Sequence, residues 1–266
     1  MLAEKYILKD TNFYKKLSKS FSRFDNFFNL NPLRWFAVWT LIVSGGNVVF
    51  HLENRWIYWD WSSFSVYALF ALAISSLVDF IFNTKVNNKN NQSLLFEQLA
   101  IFTYGTILFI IGANPLNLSF NLLFFGFPYI LFFMAGNLIW KIPLDIFNSP
   151  KIQKSDFALS LVSAMICIIL ALSIGYYNDD PMMSTIAAVF LPFPIVALVF
   201  PSAIRHLQRC RMYVVFIPAM FLSMRYPWFL FMILPLFLFS RYYYYFTNGD
   251  VIPTLKVNEP DPEIIN

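Results

Sequence analysis

The chain has 266 residues, of which 58% are hydrophobic, 20% aromatic and only 13% charged, with a formal net charge of +4. Its mean hydropathy is +0.58. A soluble domain of this length cannot cover so much apolar surface, so the composition excludes a soluble enzyme and predicts an integral membrane protein. The positive balance requires no nucleic-acid partner, because short loops on one side of a membrane account for it.

Residues 1–32 are predicted to be a cytoplasmic amphipathic interfacial helix. Phe13, Leu17, Phe21, Phe24 and Phe28 recur at helical spacing, while Lys15, Lys16, Lys19 and Arg23 occupy the other faces. This pattern places the apolar side in the lipid and the basic side against anionic headgroups, with docking of a protein partner as the alternative use. A cleavable signal peptide is not expected, since charges interrupt every apolar run.

Residues 33–246 are predicted to be an all-α polytopic transmembrane bundle. A helix needs roughly 20 apolar residues to cross a hydrocarbon core of about 30 Å. Eight stretches qualify: 33–51, 64–82, 94–113, 118–140, 157–176, 184–204, 212–224 and 227–246. The seventh is short and holds Pro218, and the eighth holds Pro235. Ser44, Gly45, Gly46 and Asn47 open a small-residue notch in the first, which admits a neighbouring helix or a ligand. With 8 Gly against 32 Phe, bulky Phe and Leu side chains are otherwise expected to fill the bundle. Pro192, Pro194 and Pro201 predict a break or kink in the sixth span, at a pocket, at a gate or as plain structure.

Charge orients the spans. With the N-terminus inside, seventeen of the 19 Lys and Arg residues fall on the cytoplasmic side, and only Arg55 and Arg225 fall outside. Glu53, Asp60, Asp179 and Asp180 fall in outer loops, and Trp56, Tyr58, Trp59 and Trp61 read as an interfacial aromatic belt. An even span count puts both termini in the cytoplasm. Residues 247–266 form a polar tail. Cys167 lies mid-span and Cys210 in an inner loop, too far apart for a disulfide.

Ionisable groups at span ends supply the candidates for chemistry. Asp79 and Asn83 share a helix face, Glu97 lies one turn into the third span, and Arg205, His206, Arg209 and Arg211 form a basic inner loop. Carboxylates opposite arginines suit a diphosphate, with Mg²⁺ on Asp79, Asn83 and Glu97 and direct contacts from Arg205 and Arg209. Ordinary interfacial pairing and the positive-inside bias account for the same residues without a ligand. His51 and His206 lie on opposite sides and cannot share a metal.

The stretch LRWFAVWTLIVSGGN resembles a first span of the UbiA superfamily of intramembrane prenyltransferases, and VDFIFNT falls where that family carries its first aspartate motif. The resemblance implies a helical bundle with a cavity open to the membrane, binding Mg²⁺ and a prenyl diphosphate. Only Asp79 and Asn83 match the motif. The family pattern NDxxDxxxD is absent, and PSAIRHLQRCR after the sixth span has no aspartate. The implied metal site is therefore degenerate, and catalysis is left open. The expected function is handling of a lipid or isoprenoid diphosphate, with membrane lipids as surroundings. The alternatives are a non-enzymatic subunit bound to membrane-protein partners, or a small transporter.

Overall fold

The computed structural model describes residues 6–28, 32–53, 94–113, 119–142, 154–201 and 203–249. All regular structure among them is helical. The helices are α1 (Asn12–Phe28), α2 (Pro32–Leu52), α3 (Leu94–Gly112), α4 (Phe120–Lys141), α5 (Lys154–Tyr177), α6 (Pro181–Phe190), α7 (Pro192–Val199), α8 (Ile204–Arg225) and α9 (Trp228–Asn248). Three helical segments, Phe120–Lys141, Phe157–Tyr177 and Pro181–Val199, are long and apolar enough to cross a bilayer. Shorter apolar runs lie in Ala37–Leu52, Gln98–Gly112 and Trp228–Phe239. The second predicted span, the aromatic belt and residues 250–266 of the polar tail lie outside the described residues, while 247 and 248 end α9.

The centre of the bundle is α2, α4 and α8. Side-chain pairings give their directions. Asn47 meets Tyr129 and His51 faces Phe125, so α2 and α4 are antiparallel. Arg225 reaches Asn47, at the same end of α2. On the flank, α3 runs parallel to α2: a Cβ on Gly105 would touch the Leu41 side chain, and one on Gly45 would strike the α3 backbone at Phe109, Gly112 and Ala113. The notch thus serves helix approach on its Gly45 side. A Cβ on Gly112 would collide with the Ile42 carbonyl. The scarcity of glycine pointed away from such close backbone packing, but two well-placed glycines suffice for it.

Phenylalanine fills the space elsewhere. Phe132, Phe190, Phe193 and Tyr213 form a ladder through α4, α6, α7 and α8, with successive ring centroids 5.4, 6.0 and 4.5 Å apart. The proline-rich segment is a one-residue joint. Leu191 keeps helical dihedrals, and its N–H still donates to the Ala187 carbonyl at 2.9 Å. A kink is the outcome there, because Pro192 and Pro194 occupy the first turn of α7, where a missing N–H costs nothing.

Two further segments differ from the sequence expectation. The basic stretch 205–211 is no loop: it forms the first two turns of α8, since Leu207 and Cys210 at helical spacing are buried and extend the core-facing stripe. At the far end of the chain, α1 packs on the last turns of α9. Phe21 stacks on Phe246 with centroids 5.4 Å apart, and the Tyr14 hydroxyl donates to the Tyr245 carbonyl at 3.0 Å. Leu17 joins this cluster, whereas Phe13 is 59% exposed. Part of the apolar stripe therefore covers protein, and both ends of the described chain meet at one end of the bundle.

Candidate functional site

The α5–α6 turn shows how local sequence builds the site. Asp179 adopts a left-handed conformation (φ 52°), and the N–H groups of Asp179 and Asp180 donate to the carbonyls of Tyr176 and Gly175 at 3.2 and 2.8 Å. This double closure ends α5 and reverses the chain. Asp180 then caps α6, with Pro181 in the first turn. Its Oδ1 accepts from the N–H groups of Met182 and Met183 at 3.0 and 3.1 Å.

The other carboxylate oxygen anchors a chain of side chains. The Tyr129 hydroxyl donates to Asp180 Oδ2 at 2.8 Å, and Asn47 Nδ2 donates to the Tyr129 hydroxyl at 2.8 Å. An Arg225 guanidinium N–H donates to Asn47 Oδ1 at 2.9 Å. Every donation points toward Asp180, so a buried carboxylate is joined to a guanidinium through two neutral groups. Asn47, Asp180 and Tyr129 are 0%, 3% and 5% exposed. Such a chain is favourable only when each member is satisfied. It ties α2, α4, α6 and α8 together at one end.

A cavity of about 290 Å³ opens beside this chain. Thr40, Leu41 and Ser44 line it from α2, Met183 and Ile186 from α6, and Val214, Val215, Pro218 and Leu222 from α8. The wall from α4 runs from Tyr129 through Phe132, Phe133 and Asn137 to Trp140 and Lys141. Polar wall groups are engaged within the protein. Ser44 Oγ donates to the Leu41 carbonyl at 2.6 Å and Asn137 Nδ2 to the Phe133 carbonyl at 2.9 Å. The interior therefore presents an apolar surface.

The mouth is different. Lys141 is exposed there, and the Arg211 guanidinium lies 4.3 Å from the Trp140 ring centroid. Trp140 Nε1 is buried with no hydrogen-bond partner among the described residues. Cationic groups and an N–H donor at one rim suit an anion, and among the described residues the lining supplies no carboxylate for a hard metal ion. Among the described residues, no three His, Cys, Asp or Glu side chains gather as a metal site.

The sequence candidates are placed as follows. Asp79 and Asn83, the expected Mg²⁺ ligands, lie outside the described residues. Glu97 falls in the first turn of α3, and its side chain lies outside them too. Arg205 and Arg209 are exposed on α8 and do not line the cavity. They sit six and two residues from Arg211, and the cavity takes Arg211 because the helix rotation that buries Cys210 turns Arg209 to the surface. Sequence reasoning read Lys141 only as a topology signal, counted Arg211 in the basic cluster but gave the phosphate contacts to Arg205 and Arg209, and missed Trp140 as a companion. It also missed Asp180 as a buried acid, which it placed in an outer loop. Arg225, one of two cations on the disfavoured side, was the available clue. No protein-family model, curated protein or solved structure matches this chain.

Proposed function

We propose that this chain is a multi-pass membrane protein of eight spans that binds a single-chain anionic lipid, of the isoprenoid phosphate or diphosphate class, inside its bundle. The head group rests on Lys141, Arg211 and Trp140, and the chain lies between α2, α4 and α8. The carrying observation is the division of the cavity into an apolar interior and a cationic mouth. Its volume of about 290 Å³ is at the low end of the roughly 300–1,000 Å³ of ligand pockets, which favours one chain over two. The parallel course of α2 and α3 supports the eight-span reading, as it fits one further crossing, 64–82, between them.

The test is binding of a short prenyl diphosphate to the detergent-solubilised protein. Replacing Lys141 and Arg211 together by Gln is expected to weaken binding at least about tenfold, since a hydrogen bond to a charged group contributes about 1.5–3 kcal/mol. The Arg205→Gln, Arg209→Gln pair should bind as the parent does. Equal affinity in the Lys141, Arg211 variant removes this reading. Co-purification with fixed protein partners and no lipid would favour the subunit role instead.

A further inference from the structure

We infer that the closed end of the cavity sets an upper limit on the length of the lipid chain, an inference that rests on the lipid-binding reading above. The closed end is formed by Ser44, Tyr129, Met183 and Leu222, the cavity residues nearest the Arg225–Asn47–Tyr129–Asp180 chain. Along α4 this end lies twelve residues from Lys141, roughly 18 Å at about 1.5 Å per residue. A bound chain therefore has a defined run from cationic mouth to floor.

The floor is built to stay in place. Tyr129 is held by Asp180 and Asn47, and Asp180 is itself fixed as the α6 cap. Met183 follows in the first turn of α6 and is 1% exposed. Leu222 is fully buried and packs in the cluster of Trp39, Val43 and Phe229. A chain long enough to reach this end would have to displace a close-packed core or a satisfied buried polar chain, and both resist. Before the floor, most of the wall a chain meets is apolar, and the Asn137 amide on it donates to the Phe133 carbonyl. Referred to the free aqueous ligand concentration, affinity should rise by up to about fourfold per methylene, the equivalent of ~0.8 kcal/mol, and stop rising where the floor is met.

The experiment measures affinities of straight-chain alkyl monophosphates, lengthened two carbons at a time, for the full-length protein in detergent. The parent is expected to show a rising limb and then a break. Leu222→Ala should move the break to longer chains, and Ser44→Leu should move it to shorter ones. The two variants act in opposite directions, so if Leu222→Ala fails to fold, Ser44→Leu still decides. A break that stays put in the folded variants, or a rise without any break, overturns the floor assignment while the lipid site stands. Binding of no alkyl phosphate at any length removes the lipid site itself. Inorganic phosphate competing as well as the long-chain compounds would show that the chain contributes nothing, and overturns the inference too.

Discussion

Asp180 illustrates what one residue does when every lone pair is assigned. Oδ1 holds the start of α6, and Oδ2 receives the polar chain from Arg225. Tyr129→Phe would leave Asp180 short of a donor and Asn47 Nδ2 without its acceptor, among side chains no more than 5% exposed. The expected cost is about 1–3 kcal/mol, seen as a drop of several degrees in the melting temperature of the solubilised protein. An unchanged melting temperature would mean that the chain contributes no stability. Sequence reading assigned Asn47, Arg225 and Asp180 to three separate roles: a notch, a stray cation and an outer loop. Asn47 and Asp180 lie 82 and 51 residues from Tyr129 on opposite sides, and Asn47 and Arg225 are 178 apart, so no spacing rule links them. Only folding brings them within hydrogen-bond reach.

At the scale of elements, the α2–α3 contact is decided by two glycines. Gly112→Ala would press a methyl group into the Ile42 carbonyl, a backbone atom that cannot rotate away. We expect a loss of about 1–3 kcal/mol, read as a lower midpoint in thermal or denaturant unfolding. Gly46→Ala is the control: its nearest neighbour would be 3.7 Å away, an ordinary contact, and stability should hold. A Gly112→Ala protein as stable as the parent would show that the helices part at no cost. The helical repeat and proline positions made the amphipathic α1 and the α6–α7 joint legible in the sequence. They did not show that Leu17 and Phe21 pack on α9, because an apolar stripe looks the same whether lipid or protein covers it. Likewise, hydropathy alone started the seventh span at 212, since it cannot see that Leu207 and Cys210 turn inward among arginines.

The whole molecule separates two kinds of surface. Outward faces of α5 and α9 expose Leu159, Ile166, Leu170, Phe231, Leu234 and Leu238, as a lipid-facing bundle requires. The polar chain and the cavity lie inside. With α1 docked on the end of α9, the two ends of the described chain share one end of the bundle. In a background with Cys167 and Cys210 replaced by Ala, single cysteines at Lys9 and Asn248 should react with an impermeant thiol reagent from the same compartment, and one at His51 from the other. Labelling of Lys9→Cys and Asn248→Cys from opposite compartments would sink the eight-span arrangement and with it the inward-facing cationic mouth.

By itself, the sequence determined that the protein is helical and apolar enough for a membrane, and roughly where most of the described helices lie. Composition and periodicity are local properties, and each helix satisfies its own backbone. The tertiary structure alone decided which cations border a cavity, which acid is buried and which glycines touch. Those choices depend on helix rotation and on pairings between residues far apart in the chain, and a rotation of part of a turn exchanges Arg209 for Arg211.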